Sequence, residues 1–363
     1  MSAEKNLVIS TFMQIVQIDS PTFHEEEMAK DVHKRLTEMG LSPEIDKEGN
    51  VRAFLEGDES KEVYILNAHL DTVEPGKGIK PQIDSEGWIR SSGDTILGAD
   101  NKAGVAAILE ATRRLIDGDS SDHHPLELVF TVSEESGNHG AAGLDYSSTR
   151  SKLGYAFDVA GQNFGDIIIS SPFYNRIDID VVGQSAHAKD PDIAKNVLYI
   201  FRDVMNNIKL GKISANTIAN FGIVRSGEAV NTIPGQMTIN GEVRSTVESE
   251  LEENTNNIKE AFGKASDSLG AKTTVTVTRE NPGYKLEKDD TFLLKTVKLL
   301  NKFGVEPKLI DSMGCADANL FAGSGIKIIN IADGSQGAHT LDERIKVNDL
   351  ERLVDLICLL VKD

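Results

Sequence analysis

Between Val63 and Phe157 the chain alternates short β-branched and aromatic runs with a long segment of helical period. That alternation narrows the possible folds more than any other feature. Val63–Leu70, Leu126–Val132 and Leu153–Phe157 read as buried strands, since each is a short apolar run bounded by polar residues. Between the first two, Asn101–Ile116 places Val105, Ile108, Leu109, Leu115 and Ile116 at helical spacing. Upstream, Leu7–Ile18 and Glu25–Met39 read as amphipathic helices, the second after a Ser20-Pro21-Thr22 start signal. Strands separated by helices predict an α/β domain on a doubly wound, mostly parallel sheet with helices on both faces.

The pattern changes near Ser171. Asn175–Val182 and Gln236–Arg244 alternate polar and apolar residues, and Lys272–Thr278 is rich in threonine and valine. Two helices, Ile193–Ile208 and Glu248–Leu269, fit between these segments. An antiparallel sheet with helices on one face explains the alternation, which predicts an inserted α+β domain over residues 171–282. After Pro282 the earlier style returns, with a helix over Phe292–Phe303, a strand over Ile326–Ile331 and a C-terminal helix over Val347–Val361. The larger domain is therefore expected in two chain segments, 1–170 and 283–363.

A chain of 363 residues has room for two such domains, and its 39% hydrophobic and 26% charged residues are those of a globular protein. No apolar run approaches the roughly 18 residues that span a bilayer, and Met1–Val16 lacks the basic start, apolar core and cleavage site of a signal peptide. With Cys315 and Cys358 as its two cysteines, the sequence predicts no disulfide framework and a cytoplasmic setting. The formal charge of −19 is spread along the chain and argues against nucleic acid or a membrane surface as partner. Composition alone does not say whether some of the excess acid ligates cations.

Position does bear on that question. Residues i and i+2 of a strand point the same way, so His69 and Asp71 face one pocket at the carboxyl end of their strand, where ligands bind in open α/β sheets. Asp100 stands at the start of a helix, where an aspartate by itself is an ordinary N-cap. Glu134 and Glu135 follow the strand Leu126–Val132 and repel each other unless a dication takes one and leaves the other as a base. Asp158 follows Leu153–Phe157, and His339 lies in the loop after Ile326–Ile331. Taken singly, His24, His33, His123, His124, His139 and His187 read as solvated. Taken together, two histidines and three carboxylates from five places along the chain suit a pair of zinc-like ions with one carboxylate bridging. Two dications balance three carboxylates and a hydroxide, a cluster tolerable in a partly buried pocket.

The motifs then match a known family. Asn67-Ala68-His69-Leu70-Asp71-Thr72-Val73, Gly98-Ala99-Asp100-Asn101-Lys102-Ala103-Gly104, Ser133-Glu134-Glu135-Ser136-Gly137 and Phe157-Asp158 carry the likeness in the larger domain. Gly183-Gln184-Ser185-Ala186-His187-Ala188 and Val230-Asn231-Thr232-Ile233-Pro234-Gly235 carry it in the insert, and Asp317-Ala318-Asn319 and Gly337-Ala338-His339-Thr340 near the end. Over nearly its whole length the chain resembles the co-catalytic zinc exopeptidases, which include peptidase T, acetylornithine deacetylase and succinyl-diaminopimelate desuccinylase. The Leu-Gly-Ala-Asp-Asn-Lys-Ala-Gly segment resembles the peptidase T branch.

The resemblance implies a cytoplasmic, homodimeric hydrolase of small peptides with two zinc ions per subunit, for which cobalt or manganese could substitute. Asp100 would bridge the ions, His69 and Asp158 completing one site and Glu135 and His339 the other. Asp71 would orient His69 through its far ring nitrogen. Glu134 would act as general base and then acid, taking a proton from the attacking water and returning it to the leaving amine. The insert would be a lid and dimerisation domain, with His187 helping to bind the oxyanion in a neighbouring site and Asn231 and Arg244 holding the substrate. Peptidase T typically has a second aspartate where this chain has Asn101, and Ala188-Lys189-Asp190-Pro191 does not closely match it. The same zinc machinery could cleave an N-acyl group, so an N-acyl amino acid deacylase of the same family is one alternative, and a noncatalytic dimeric relative, which would predict a broken ligand set, is another. A magnesium phosphohydrolase would call for a phosphate-cradling glycine loop, whereas Gly93-Asp94 and Gly98-Ala99-Asp100 are acidic.

Overall fold

The computed structural model describes residues 5–118, 122–159 and 161–363. Contacts group them into two compact units, one of residues 1–169, 286–311 and 316–363, the other of residues 170–285 and 312–315.

The first unit is built on a mixed sheet with a parallel centre. Tyr64–His69 lies between Leu126–Thr131 and Leu153–Ala156, parallel to both, and Leu153–Ala156 continues in parallel to Lys327–Ile331. Antiparallel strands flank this centre, Val51–Leu55 beside Leu126–Thr131 and Ile167–Ser171 beside Lys327–Ile331. Every residue of Tyr64–His69 and of Leu126–Thr131 is buried, as parallel strands covered on both faces must be. The helix Ala99–Asp117 packs against Tyr64–His69, Lys5–Ile15 and the C-terminal helix Val347–Lys362. Its small residues Ala103, Ala106 and Ala107 are fully buried and let the backbones come close.

The central strands approach tightly at Gly154. A Cβ there would lie 2.2 Å from Ile65 Cγ2 and 2.3 Å from the Ile65 carbonyl oxygen. Gly154→Ala is expected to destabilise the protein by ~1–3 kcal/mol through overpacking, read as a lower urea midpoint at unchanged m-value. A midpoint equal to the parent's would show that the two strands separate at no cost.

Two of the histidines expected in solvent are instead buried in this unit. His123 is 3% and His124 6% exposed. His123 Nδ1 lies 2.8 Å from the His124 carbonyl, and His124 Nδ1 lies 2.6 Å from the Glu62 carbonyl. The His124 ring also stacks on Tyr64 at 3.8 Å between centroids. An aromatic face and a carbonyl acceptor replace water for that ring, a combination that single-residue reasoning does not anticipate.

The second unit is an antiparallel sheet in the order Gly211–Lys212, Thr217–Ser226, Gln236–Ser245, Phe173–Val182, Lys272–Asn281. Alternate residues Ile177, Ile179 and Val181 face a core shared with Met237, Ile239 and Val243. The helices Val197–Asn207 and Glu248–Leu269 close it with Val197, Ile200 and Val204 and with Leu251, Ile258 and Phe262. Period two on the strands thus meets period 3.6 on the helices, the two signatures of half-buried elements. No described helix is long and apolar enough to cross a membrane, and Cys315 and Cys358 form no disulfide with each other.

Candidate active site

The strand Tyr64–His69 carries His69 into the interior at its carboxyl end, where the residue is 1% exposed. His69 Nε2 lies 3.1 Å from Asp100 Oδ1 and 3.6 Å from Asp158 Oδ1. The other ring nitrogen faces Asp71, 3.1 Å from its carbonyl oxygen and 3.3 Å from Oδ1. Asp71 does more than face the ring. Its Oδ1 accepts the Glu134 N–H at 2.9 Å, and its Oδ2 accepts the Glu135 N–H at 3.2 Å and the Thr22 hydroxyl at 2.8 Å. One buried carboxylate therefore ties the histidine strand to the loop bearing both glutamates.

Asp100 does not cap its helix. Gly98 occupies the N-cap position, and Asp100 itself has non-helical backbone angles, φ −80° and ψ 103°. Its carboxylate turns away from the helix, with Oδ1 toward His69 and Oδ2 3.5 Å from His339 Nε2. Glu343 supports this conformation. One of its carboxylate oxygens accepts the N–H groups of Leu97 and Gly98 at 2.8 and 2.7 Å, and the other accepts that of Asp100 at 2.9 Å. Gly104 lets the following helix settle, since a Cβ there would stand 2.9 Å from the Phe157 carbonyl and 3.1 Å from Ala68 Cβ. The same close approach brings Phe157-Asp158 to the site.

His339, in a left-handed conformation at φ 64°, is half-exposed, and its Nε2 lies 2.8 Å from Glu135 Oε1. His69, Asp100 and Glu135 each offer a ligand atom within 4.8 Å of the others, a group that can hold a metal ion. Asp158 and His339 border it at the distances given above. Two imidazoles among carboxylates favour a borderline divalent transition ion over magnesium or calcium, so the donor set fits such a metal.

Electrostatics follow from the crowding. Burial opposes a charge on His69, yet Asp158, Asp100 and Asp71 together hold its pKa well above the usual imidazole value. Hydrogen bonds to Asp100 and Glu135 push His339 up to about 10. Asp100 is held below the usual carboxylate range, because its bonds to His339 and His69 outweigh burial. Burial, and after it the charge of Asp158, raises Glu134 well above that range. The cluster thus concentrates negative charge around two ring nitrogens, and a divalent ion competes with protons for the same lone pairs.

The structure gathers His69, Asp71, Asp100, Glu134, Glu135, Asp158 and His339 in the first unit. His187, Asn231 and Arg244 belong to the second. There His187 pairs with Thr232 across a short antiparallel ladder, and the Asn231 carbonyl accepts the Ala188 N–H at 2.9 Å. Both residues are exposed. Arg244 stands apart from them on the five-stranded sheet, stacked 4.5 Å above the Tyr174 ring. Its Nε and Nη2 both meet Glu242 Oε2, at 3.2 and 3.0 Å.

Several supporting residues escaped the sequence reading. Glu343 carried no signal, lying past His339 in a polar turn. Asn330 grips the Asp158 backbone twice, accepting its N–H and donating to its carbonyl, both at 3.0 Å. An asparagine inside the apolar run Ile328-Ile329-Asn330-Ile331 was the clue, because a buried amide must be paired.

Residues 65–363 match the model of peptidase family M20/M25/M40. The protein YqjE of Bacillus subtilis is 32% identical over 372 residues, spanning 100% of this chain and 99% of that protein. Among solved structures, the aminopeptidase PepT of Bacillus cereus is 33% identical with a TM-score of 0.90, covering 99% of this chain and 98% of its own. A tripeptidase of Staphylococcus aureus is 27% identical with a TM-score of 0.93, at the same coverage. With the family matched from the first central strand to the C-terminus, and the histidine–carboxylate cluster at the ends of its strands, the chain belongs to peptidase family M20/M25/M40 and is a hydrolase acting on peptide bonds.

Proposed function

We propose that the protein is a two-zinc aminopeptidase that releases the N-terminal residue of small peptides, with tripeptides as preferred substrates. The placement of Asp100 carries this reading, since its two carboxylate oxygens face two different histidines. A carboxylate so placed is suited to be shared by two ions, His69 and Asp158 holding one, Glu135 and His339 the other. The similar aminopeptidase PepT and tripeptidase support the choice of substrate.

Zinc bound there supplies Lewis-acid polarisation of the scissile carbonyl. The remaining work falls to the chain. Asp71 keeps the His69 ring oriented. Glu134 takes a proton from the attacking water and returns it to the leaving amine. The second unit serves as lid and dimerisation domain, His187 and Asn231 acting from its exposed ladder. Arg244 receives a substrate carboxylate by exchanging it for Glu242. Two cysteines that form no disulfide with each other accord with a cytoplasmic enzyme.

The test is a substrate panel on zinc-loaded protein, comparing tripeptides, dipeptides and N-acetyl amino acids with and without a chelator. Tripeptides are expected to be cleaved with the highest kcat/KM, and chelation is expected to abolish turnover. Turnover confined to N-acetyl amino acids would replace this reading with a deacylase, and chelator-resistant turnover would remove the metal from it.

A further inference from the structure

Glu134 sits in an unusual turn. Ser133, Gly137 and Asn138 all have positive φ, at 52°, 115° and 57°. The Glu134 carbonyl accepts the N–H groups of Gly137 and Asn138 at 2.9 and 2.8 Å. Asn138 then returns through its side chain, donating from Nδ2 to Glu134 Oε1 at 2.8 Å. The same Nδ2 donates to Asp317 Oδ1 at 3.1 Å. An amide nitrogen carries two hydrogens, so these two bonds use both and fix which way the amide points. Asn138 is 2% and Asp317 1% exposed.

Asp317 is anchored in turn. Its Oδ2 accepts the Thr131 hydroxyl, and Thr131 Oγ1 accepts from Asn67 Nδ2 at 3.2 Å. Thr131 and Asn67 belong to adjacent central strands. A chain of directed hydrogen bonds therefore runs from the rigid sheet to one oxygen of Glu134. The Asp317-Ala318-Asn319 motif has no other task in the mechanism, and Asp317 is not among the group that can hold a metal ion.

We propose that Asn138, oriented by Asp317, is the positioning residue that holds Glu134 by Oε1 and leaves Oε2 to carry the proton. The inference rests on Glu134 being the base, and it adds how that base is aimed. Asparagine suits the place twice over, because it tolerates the left-handed backbone and supplies the second donor.

The experiment compares Asn138→Gly, alone and combined with Glu134→Gln, by steady-state kinetics on the zinc-loaded enzyme. Glycine accepts a positive φ, so the substitution removes the amide and keeps the turn. Alone it is expected to lower kcat by about 10–100-fold, the usual cost of losing such a support, with KM and metal content unchanged. Added to Glu134→Gln it is expected to lower the residual rate no further, since there is no longer a base to aim. A kcat within twofold of the parent would overturn the proposal. So would an equal fractional loss in both backgrounds, which is the mark of a general structural effect. Full activity of Glu134→Gln alone would instead overturn the underlying assignment of the base. Asp317→Asn, which keeps the shape and removes the charge, is a second route and is expected to lower kcat in the same direction, again at unchanged KM.

Discussion

Glu134→Gln is expected to lower kcat by about a hundred- to ten-thousand-fold, the range contributed by a general base, while the protein keeps its metal and its fold. Glutamine retains the shape of the side chain and an oxygen that can accept from Asn138 Nδ2, which lies 2.8 Å from Glu134 Oε1. What it loses is the capacity to take a proton. The backbone contacts of residue 134, from its N–H to Asp71 and from Asn138 to its carbonyl, do not depend on the side chain. Metal analysis separates this role from that of a ligand. A variant with full metal and little turnover identifies Glu134 as the proton carrier. Loss of metal would make it a ligand, and retained turnover would remove it from the chemistry.

Asp100→Ala is expected to abolish turnover and to weaken metal binding by far more than the about 10–100-fold typical of supporting residues. The reason is the sharing of one carboxylate. His69 Nε2 lies 3.1 Å from Oδ1 and His339 Nε2 3.5 Å from Oδ2, so the substitution takes a donor from both halves of the cluster. Titration calorimetry with zinc is the measurement, since it reads stoichiometry and affinity apart from activity. Parent-like stoichiometry and affinity would show that Asp100 is not shared between two ions. The backbone around residue 100 is expected to stay in place, because Glu343 holds it through the Leu97, Gly98 and Asp100 N–H groups. Removal of that support by Glu343→Ala is expected to have the smaller effect on affinity.

Much of this protein was legible along the chain because its elements have simple periods. The continuous apolar runs ending at His69 and before Glu134 specified buried parallel strands, since nothing but a sheet covered on both faces hides such a run. Alternation in Asn175–Val182 and Gln236–Arg244 specified half-buried antiparallel strands in the same way. The helix Glu248–Leu269 was readable to its last residue, and Gly270, at φ 63°, ends it. The strand Thr217–Ser226 was not readable. Its second half is largely exposed, so no apolar face marks it, and there it is the pairing with Gln236–Ser245 that makes it a strand.

The sequence by itself also determined which residue types stand at the ends of the strands, and so the chemistry on offer. Only the tertiary structure decided how they meet. Asp100, a plain helix cap by local rules, became the centre of the cluster because Glu343, far away in sequence, accepts the N–H groups that the turn leaves over. Asn138 and Asp317 joined Glu134 for a similar reason. Asn138 meets Glu134 within its own turn, but Asp317, the buried polar group that shares the same amide, reaches it from another segment of the chain. Periodicity is a local property, set by backbone geometry within a few residues. The pairing of buried polar groups is not, because it depends on which segments the finished core brings within hydrogen-bond reach.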